Sequence, residues 1–173
     1  MISVNAYPCV LFRFCKGFIM KTCLKLHLLS FLVLLCYTTL SVSGNPSRGT
    51  VAHYKKFINQ HVFDGKMTAN DCDREVNGRH ISETGSDVCK PINTFIQANI
   101  NHIKTICDKA GKPYLGKRNL RISNQPFPVV NCNAKKGGKC VPNCVYKGKA
   151  ATVRIVIACE EGVPVHYEKG VKG

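Results

Sequence analysis

Two histidines and a lysine carry the chemistry this chain can offer. His61 follows Gln60, His166 lies in Pro164-Val165-His166-Tyr167, and Lys90 is second in Cys89-Lys90-Pro91-Ile92-Asn93-Thr94-Phe95. An imidazole titrates near neutral pH, so one ring can accept a proton while another donates one. A lysine supplies positive charge where negative charge grows on nonbridging oxygens. Together they fit transesterification of a phosphodiester without a metal. A base takes a hydroxyl proton, an acid protonates the leaving oxygen, and a cation holds the phosphorane between them. Five histidines lie beyond residue 44, at 53, 61, 80, 102 and 166. By composition alone any of them is an ordinary surface or core residue, and His53, His80 and His102 keep that reading.

Three reacting groups must be brought together by separate elements. Val51 to Phe63 reads as a first helix, with Phe57 and His61 four apart on one face and Lys56 and Gln60 on its neighbour. Phe57 belongs in the core by this reading. A weaker helix runs from Asp71 to Arg79 and ends at Gly78. Asn99 can cap a third, in which Ile100, Ile103 and Ile106 recur at helical spacing. Strands are expected at 92–96, 128–132, 152–159 and 163–167. Strand period puts Lys90 and Thr94 on one face and Cys89 and Phe95 on the other. Val153, Ile155, Ile157 and Cys159 alternate with Thr152, Arg154, Val156 and Ala158, the period of a strand with one deeply buried face. Glu160-Glu161-Gly162 turns the chain back into the strand that carries His166. Helices first and strands later argue for an α+β domain with an antiparallel sheet. The basic stretch from Lys109 to Arg121 reads as a solvated loop, Lys135, Lys136 and Lys139 form a second basic cluster, and together the two are compatible with a phosphate-contacting surface.

The first quarter of the 173 residues does not read as globular protein. Lys21 and Lys25 precede an apolar run from Leu26 to Leu40, followed by small residues at Ser41, Ser43 and Gly44. That is the layout of an export signal starting at Met20, with residues 1–19 as an upstream extension. Residues 45–173 then form the working domain. Without Arg13, Lys16, Lys21 and Lys25 they keep 21 basic against 10 acidic residues, a net charge of +11. Such an excess attracts polyanions: nucleic acid, heparin-like glycans or anionic microbial surfaces. The seven remaining cysteines read as a disulfide framework in an exported domain, since no paired CxxC or CxxxH ligands for a metal occur. No metal and no cofactor are expected.

On the Cys89-to-Phe95 segment and its flanking histidines, the chain resembles the pancreatic-type secretory ribonuclease family. It matches CK-x-x-NTF at all five fixed positions, and the likeness runs from about Lys55 to Glu168. The resemblance implies three short helices on a bent antiparallel sheet, with bridges Cys72–Cys132, Cys89–Cys144 and Cys107–Cys159. Cys140 is left over. It implies His61 as base, His166 as acid and Lys90 as charge stabiliser. Thr94 would pair with a pyrimidine, Gln60 would touch the scissile phosphate, Lys56 would meet a flanking phosphate, and Asn93 would be a further substrate-binding residue. Tyr167 would wall the base pocket where most members have phenylalanine. Glu168 stands where many have an aspartate that orients the acid histidine.

The substrate implied is single-stranded RNA, cleaved to a 2′,3′-cyclic phosphate that is then hydrolysed, by a monomer with no chemistry on DNA. Two further readings remain open at this level. One is a cationic host-defence protein that acts on microbial surfaces. The other is an angiogenin-like growth factor with weak ribonuclease activity, suggested by the three-bridge pattern and the short segment before His166. Arg74 to His80 lacks the dense basic run of a nuclear localisation signal.

Overall fold

The computed structural model describes residues 45–135 and 140–172, with Arg118 described by its backbone only. The export signal expected in residues 1–44, together with Lys136 and Lys139 of the second basic cluster, lies outside the described residues.

Helix α1 spans Arg48–His61, three residues earlier at its start than periodicity indicates. The reason is the cap. Ser47 accepts a hydrogen bond from the Thr50 N–H through its hydroxyl, which begins the helix ahead of its apolar stripe. Thr50, Phe57 and His61 form its buried stripe. A 3₁₀ turn at Ala69–Asp71, boxed by Thr68 and Asp71, leads into α2, Cys72–Gly78. Asn99 caps α3, Ile100–Lys104, by accepting from Asn101 N, and a second 3₁₀ turn, Thr105–Cys107, follows it.

The strands are β1 Val62–Phe63, β2 Ile92–Gln97, β3 Gly111–Tyr114, β4 Lys117–Ser123, β5 Phe127–Ala134, β6 Tyr146–Glu160 and β7 Val163–Val171. Their order is β1-β2-β5-β6-β4-β3, with β7 also on β6. The sheet is mixed, because β1 continues straight out of α1 and pairs in parallel with the end of β2. Every other pairing is antiparallel. The 15-residue β6 pairs with β5 through its first half and with β4 and β7 through its second, so it carries the chain from one arm of the sheet to the other. It begins six residues before the expected start. Gly148 hides that start from propensity, and it is needed there because a Cβ would overlap the Ala69 carbonyl.

Two expectations are corrected. The stretch from Lys109 to Arg121 contains the β3–β4 hairpin, whose charges and Pro113 suit a strand at the sheet edge. Arg121 is structural, donating to the carbonyls of Ile106, Asp108 and Gly111, each at 2.7 Å. Second, β6 is buried on both faces. Ile155 and Ile157 enter the main core, while Val156 and Ala158 join Leu120 and Ile122 in a smaller cluster.

Neighbouring residues on β2 and β5 feed opposite sides of the sheet, as strand period requires. Ile96 and Val129 pack with Phe57, Ile103 and Ile106 beneath α1 and α3. Phe95 and Val130 pack with Val76, Ile81 and Tyr146 around α2. Disulfides staple each region: Cys72–Cys132, Cys89–Cys144 and Cys107–Cys159, the pairing the resemblance implies. Cys140 is an exposed free thiol.

Arg79 fixes the end of α1. Its guanidinium donates to the carbonyls of Asn59 and Val62, pairs with Glu75 at 3.0 Å, and lies over the Phe63 and Phe95 rings. Arg79→Ala leaves Glu75 with Arg74 as its one remaining ion-pair partner and takes the side-chain donor from two carbonyls at the helix end. Chemical denaturation is expected to show a loss of about 2–3 kcal/mol.

Candidate active site

The last residue of α1 supplies the first reacting group. Because β1 reaches only Ile96 and Gln97, β2 meets α1 at Thr94, and the Thr94 carbonyl lies 2.8 Å from His61 Nδ1. A carbonyl can only accept, so Nδ1 carries the hydrogen and Nε2 of the neutral ring holds the lone pair. The ring sits between Phe57, with centroids 5.5 Å apart, and Tyr167, stacked at 5.3 Å. Burial pushes its pKa down to about 3; the Thr94 bond opposes this, and the positive charges of Lys90, His166 and Lys56 add to it. The result is a ring that favours its neutral form.

Lys90 comes from the segment just before β2. Its ammonium donates to Gln60 Oε1 at 3.3 Å and to Asn93 Oδ1 at 3.1 Å, and Asn93 Nδ2 donates to the Gln60 carbonyl at 2.7 Å. Tyr146 anchors the backbone by donating to the Lys90 carbonyl at 2.8 Å. Burial, then the charge of Lys56, lowers the lysine's pKa. Lys56 itself reaches the Thr84 hydroxyl at 3.3 Å.

Strand β7 brings the remaining groups. His166 projects with 62% of its side chain exposed, and Glu168 Oε2 lies 3.5 Å from its Nε2. That spacing is an ion pair when the ring is charged and is long for a hydrogen bond. The longer acid does reach the ring, and its place on Nε2 leaves Nδ1 for a ligand. Burial raises the pKa of Tyr167, and the Thr94 side chain beside it opposes that rise. Thr94 in turn donates from Oγ1 to Asn131 Oδ1 at 2.9 Å, its register partner on β5.

These residues surround one cleft of about 1100 Å³. Lys56, Gln60, His61, Lys90, Thr94, His166, Tyr167 and Glu168 all line it, and Asn93 lies beneath, holding Gln60 and Lys90. Phe57 is core, as expected, yet also forms part of the wall. Sequence reasoning missed several others. His53, an exposed residue, is also on the rim, 3.5 Å from Glu160. Lys117, from the basic stretch, lines the cleft as well, whereas Asn119 and the supporting Asn131 and Tyr146 went unrecognised. Only Asn131 had a local signal: a polar residue between Val130 and Cys132 inside an apolar strand. Among the described residues, no three His, Cys, Asp or Glu side chains gather where they would hold a metal ion.

The cleft, with two histidines and a lysine on three different elements, has counterparts in known proteins. A family model described as pancreatic ribonuclease matches residues 52–168. The chain belongs to the pancreatic ribonuclease family. It is 44% identical to Ribonuclease-like 3 of Danio rerio over 142 residues, 81% of this chain and 92% of that protein. It is 38% identical to angiogenin of Chlorocebus aethiops over 151 residues, 86% of this chain and 95% of the other. The X-ray structure of zebrafish RNase5 superposes with a TM-score of 0.66 at 43% identity, covering 73% of this chain and all of that one. For a pancreatic ribonuclease, RNA is the substrate.

Proposed function

We propose that this protein is an exported endoribonuclease that cleaves single-stranded RNA after pyrimidines by metal-independent acid–base chemistry. The observation that carries the reading is the His61 Nδ1 to Thr94 carbonyl bond, which leaves Nε2 unprotonated toward the cleft shared with Lys90 and His166. His61 Nε2 takes the 2′-hydroxyl proton, and the freed oxygen attacks phosphorus. Lys90, oriented by Gln60 and Asn93, offsets charge on the nonbridging oxygens. His166 gives its proton to the departing 5′-oxygen, and Glu168 steadies the charged ring. The cyclic phosphate is then opened by water with the two imidazoles in exchanged roles. The segment from Met20 to Gly44 directs export, and three disulfides suit an oxidising destination.

The pH profile of kcat/KM on UpA tests the division of roles. His61 must be neutral and His166 charged, so the profile is a bell. With its pKa depressed, His61 becomes protonated only well into acid, so the acidic limb lies below the ordinary histidine range. Lys56→Gln removes one charge that opposes protonation of His61, and is expected to move that limb to higher pH. A limb that stays in place, or a profile rising steadily into alkali, contradicts the assignment.

Tyr167 adds a feature of specificity. Its hydroxyl, with Thr94 beside it, competes for the group assigned to the pyrimidine. Tyr167→Phe is expected to free it and to lower KM for UpA and CpA about fivefold, the worth of one ordinary hydrogen bond. An unchanged KM in steady-state kinetics removes Tyr167 from base recognition.

A further inference from the structure

The β3–β4 hairpin turns on two residues, Leu115 and Gly116, both left-handed, with φ of 49° and 63°. Such turns favour glycine, asparagine and aspartate, because other side chains crowd the backbone in that region. Leucine is a poor choice, and its side chain is 71% exposed. The β6–β7 turn supplies an internal comparison. Glu161 and Gly162 adopt the same hand, with φ of 48° and 77°, and there the unfavoured residue has a use: its carboxylate accepts from Ser47 N at 2.6 Å and secures the start of α1. A single exposed leucine is ordinary. A leucine held at the tip of an edge hairpin, in a conformation it resists, is not explained by the packing of the fold.

Its surroundings indicate what it meets. Lys112 and Lys117 are exposed on the two strands of the hairpin, and Lys169 Nζ lies 5.3 Å from the centre of the Tyr114 ring. Tyr114 packs against the cluster of Leu120, Ile122 and Val156, which mounts the tip on a fixed base. An apolar point, a ring just behind it and a collar of lysines match the layers of an anionic bilayer: acyl chains, interface and phosphates. A sulfated glycan would engage the lysines and leave the leucine idle. We propose that this hairpin docks the protein reversibly on anionic lipid surfaces, with Leu115 inserted below the headgroups. Among the described residues, no helix is long and apolar enough to cross a membrane. The proposal is independent of the ribonuclease reading.

The chain has no tryptophan, so Leu115→Trp places a single reporter at the tip. With vesicles of phosphatidylglycerol and phosphatidylcholine, its emission is expected to shift to the blue and to be quenched by brominated acyl chains. Pure phosphatidylcholine should give neither change. Leu115→Asn suits the turn and should keep wild-type RNA cleavage while losing about tenfold or more in vesicle affinity, the worth of one buried leucine. Lys112→Gln should lose about fivefold. The proposal is overturned if the anionic vesicles are not bound. It also fails if the tryptophan on bound protein stays in water, or if Leu115→Asn binds as well as wild type, since adsorption would then be by charge alone. An equal loss by Leu115→Asn on heparin and on vesicles likewise overturns it, because heparin has no apolar phase.

Discussion

His166→Ala is expected to lower RNA cleavage by about 10²–10⁴-fold, the usual worth of a positioned acid or base, without moving the thermal midpoint. The side chain is mostly exposed and contributes little to packing, so loss of activity cannot be charged to unfolding. His61→Ala should cost activity by a similar factor but also about 1–2 kcal/mol of stability, because this ring is buried between Phe57 and Tyr167. Sequence alone does not tell the two histidines apart in packing. The structure separates them, and thermal melts beside initial rates check the separation. Retained cleavage in both variants would remove the two imidazoles from the mechanism.

The second large effect concerns the bridges. Cys107–Cys159 closes a separation of 52 residues and fastens the 3₁₀ turn after α3 to the end of β6. Losing it through a Cys107→Ser, Cys159→Ser pair should cost about 4 kcal/mol on chain-entropy grounds, within the about 2–5 observed for small secreted domains. Cys140→Ser should cost little, since that thiol is exposed and unbonded. Denaturant titrations of the two variants give the comparison directly. Mass spectrometry of the unreduced, digested protein tests the pairing itself. A crosslink from Cys89 to Cys140, only four residues before Cys144, would contradict the Cys89–Cys144 bridge.

How far the site was legible depended on whether its signals were local. Gln60-His61 and the Lys90-to-Thr94 run are contiguous, and helix and strand periods place them on shared faces without knowledge of the fold. The bridges were readable only through family likeness, because cysteine spacing alone leaves several pairings open. What failed was long-range. Asn131 supports Thr94 only through the β2–β5 register, and Arg79 supports His61 through backbone carbonyls, which leave no pattern in the sequence. His53 seemed ordinary because its partner, Glu160, is 107 residues away and meets it only once β6 and α1 are packed. The β3–β4 hairpin was taken for a loop because edge strands are built from the charges, glycine and proline that also mark loops.

The most direct test of the account is the product formed from UpA by the purified protein in EDTA, followed by phosphorus NMR. Uridine 2′,3′-cyclic phosphate should appear first and then convert slowly to the 3′-phosphate, and His166→Ala should yield neither at a comparable rate. A 5′-phosphate product, or cleavage that stops until a divalent metal is restored, would contradict the two-histidine mechanism.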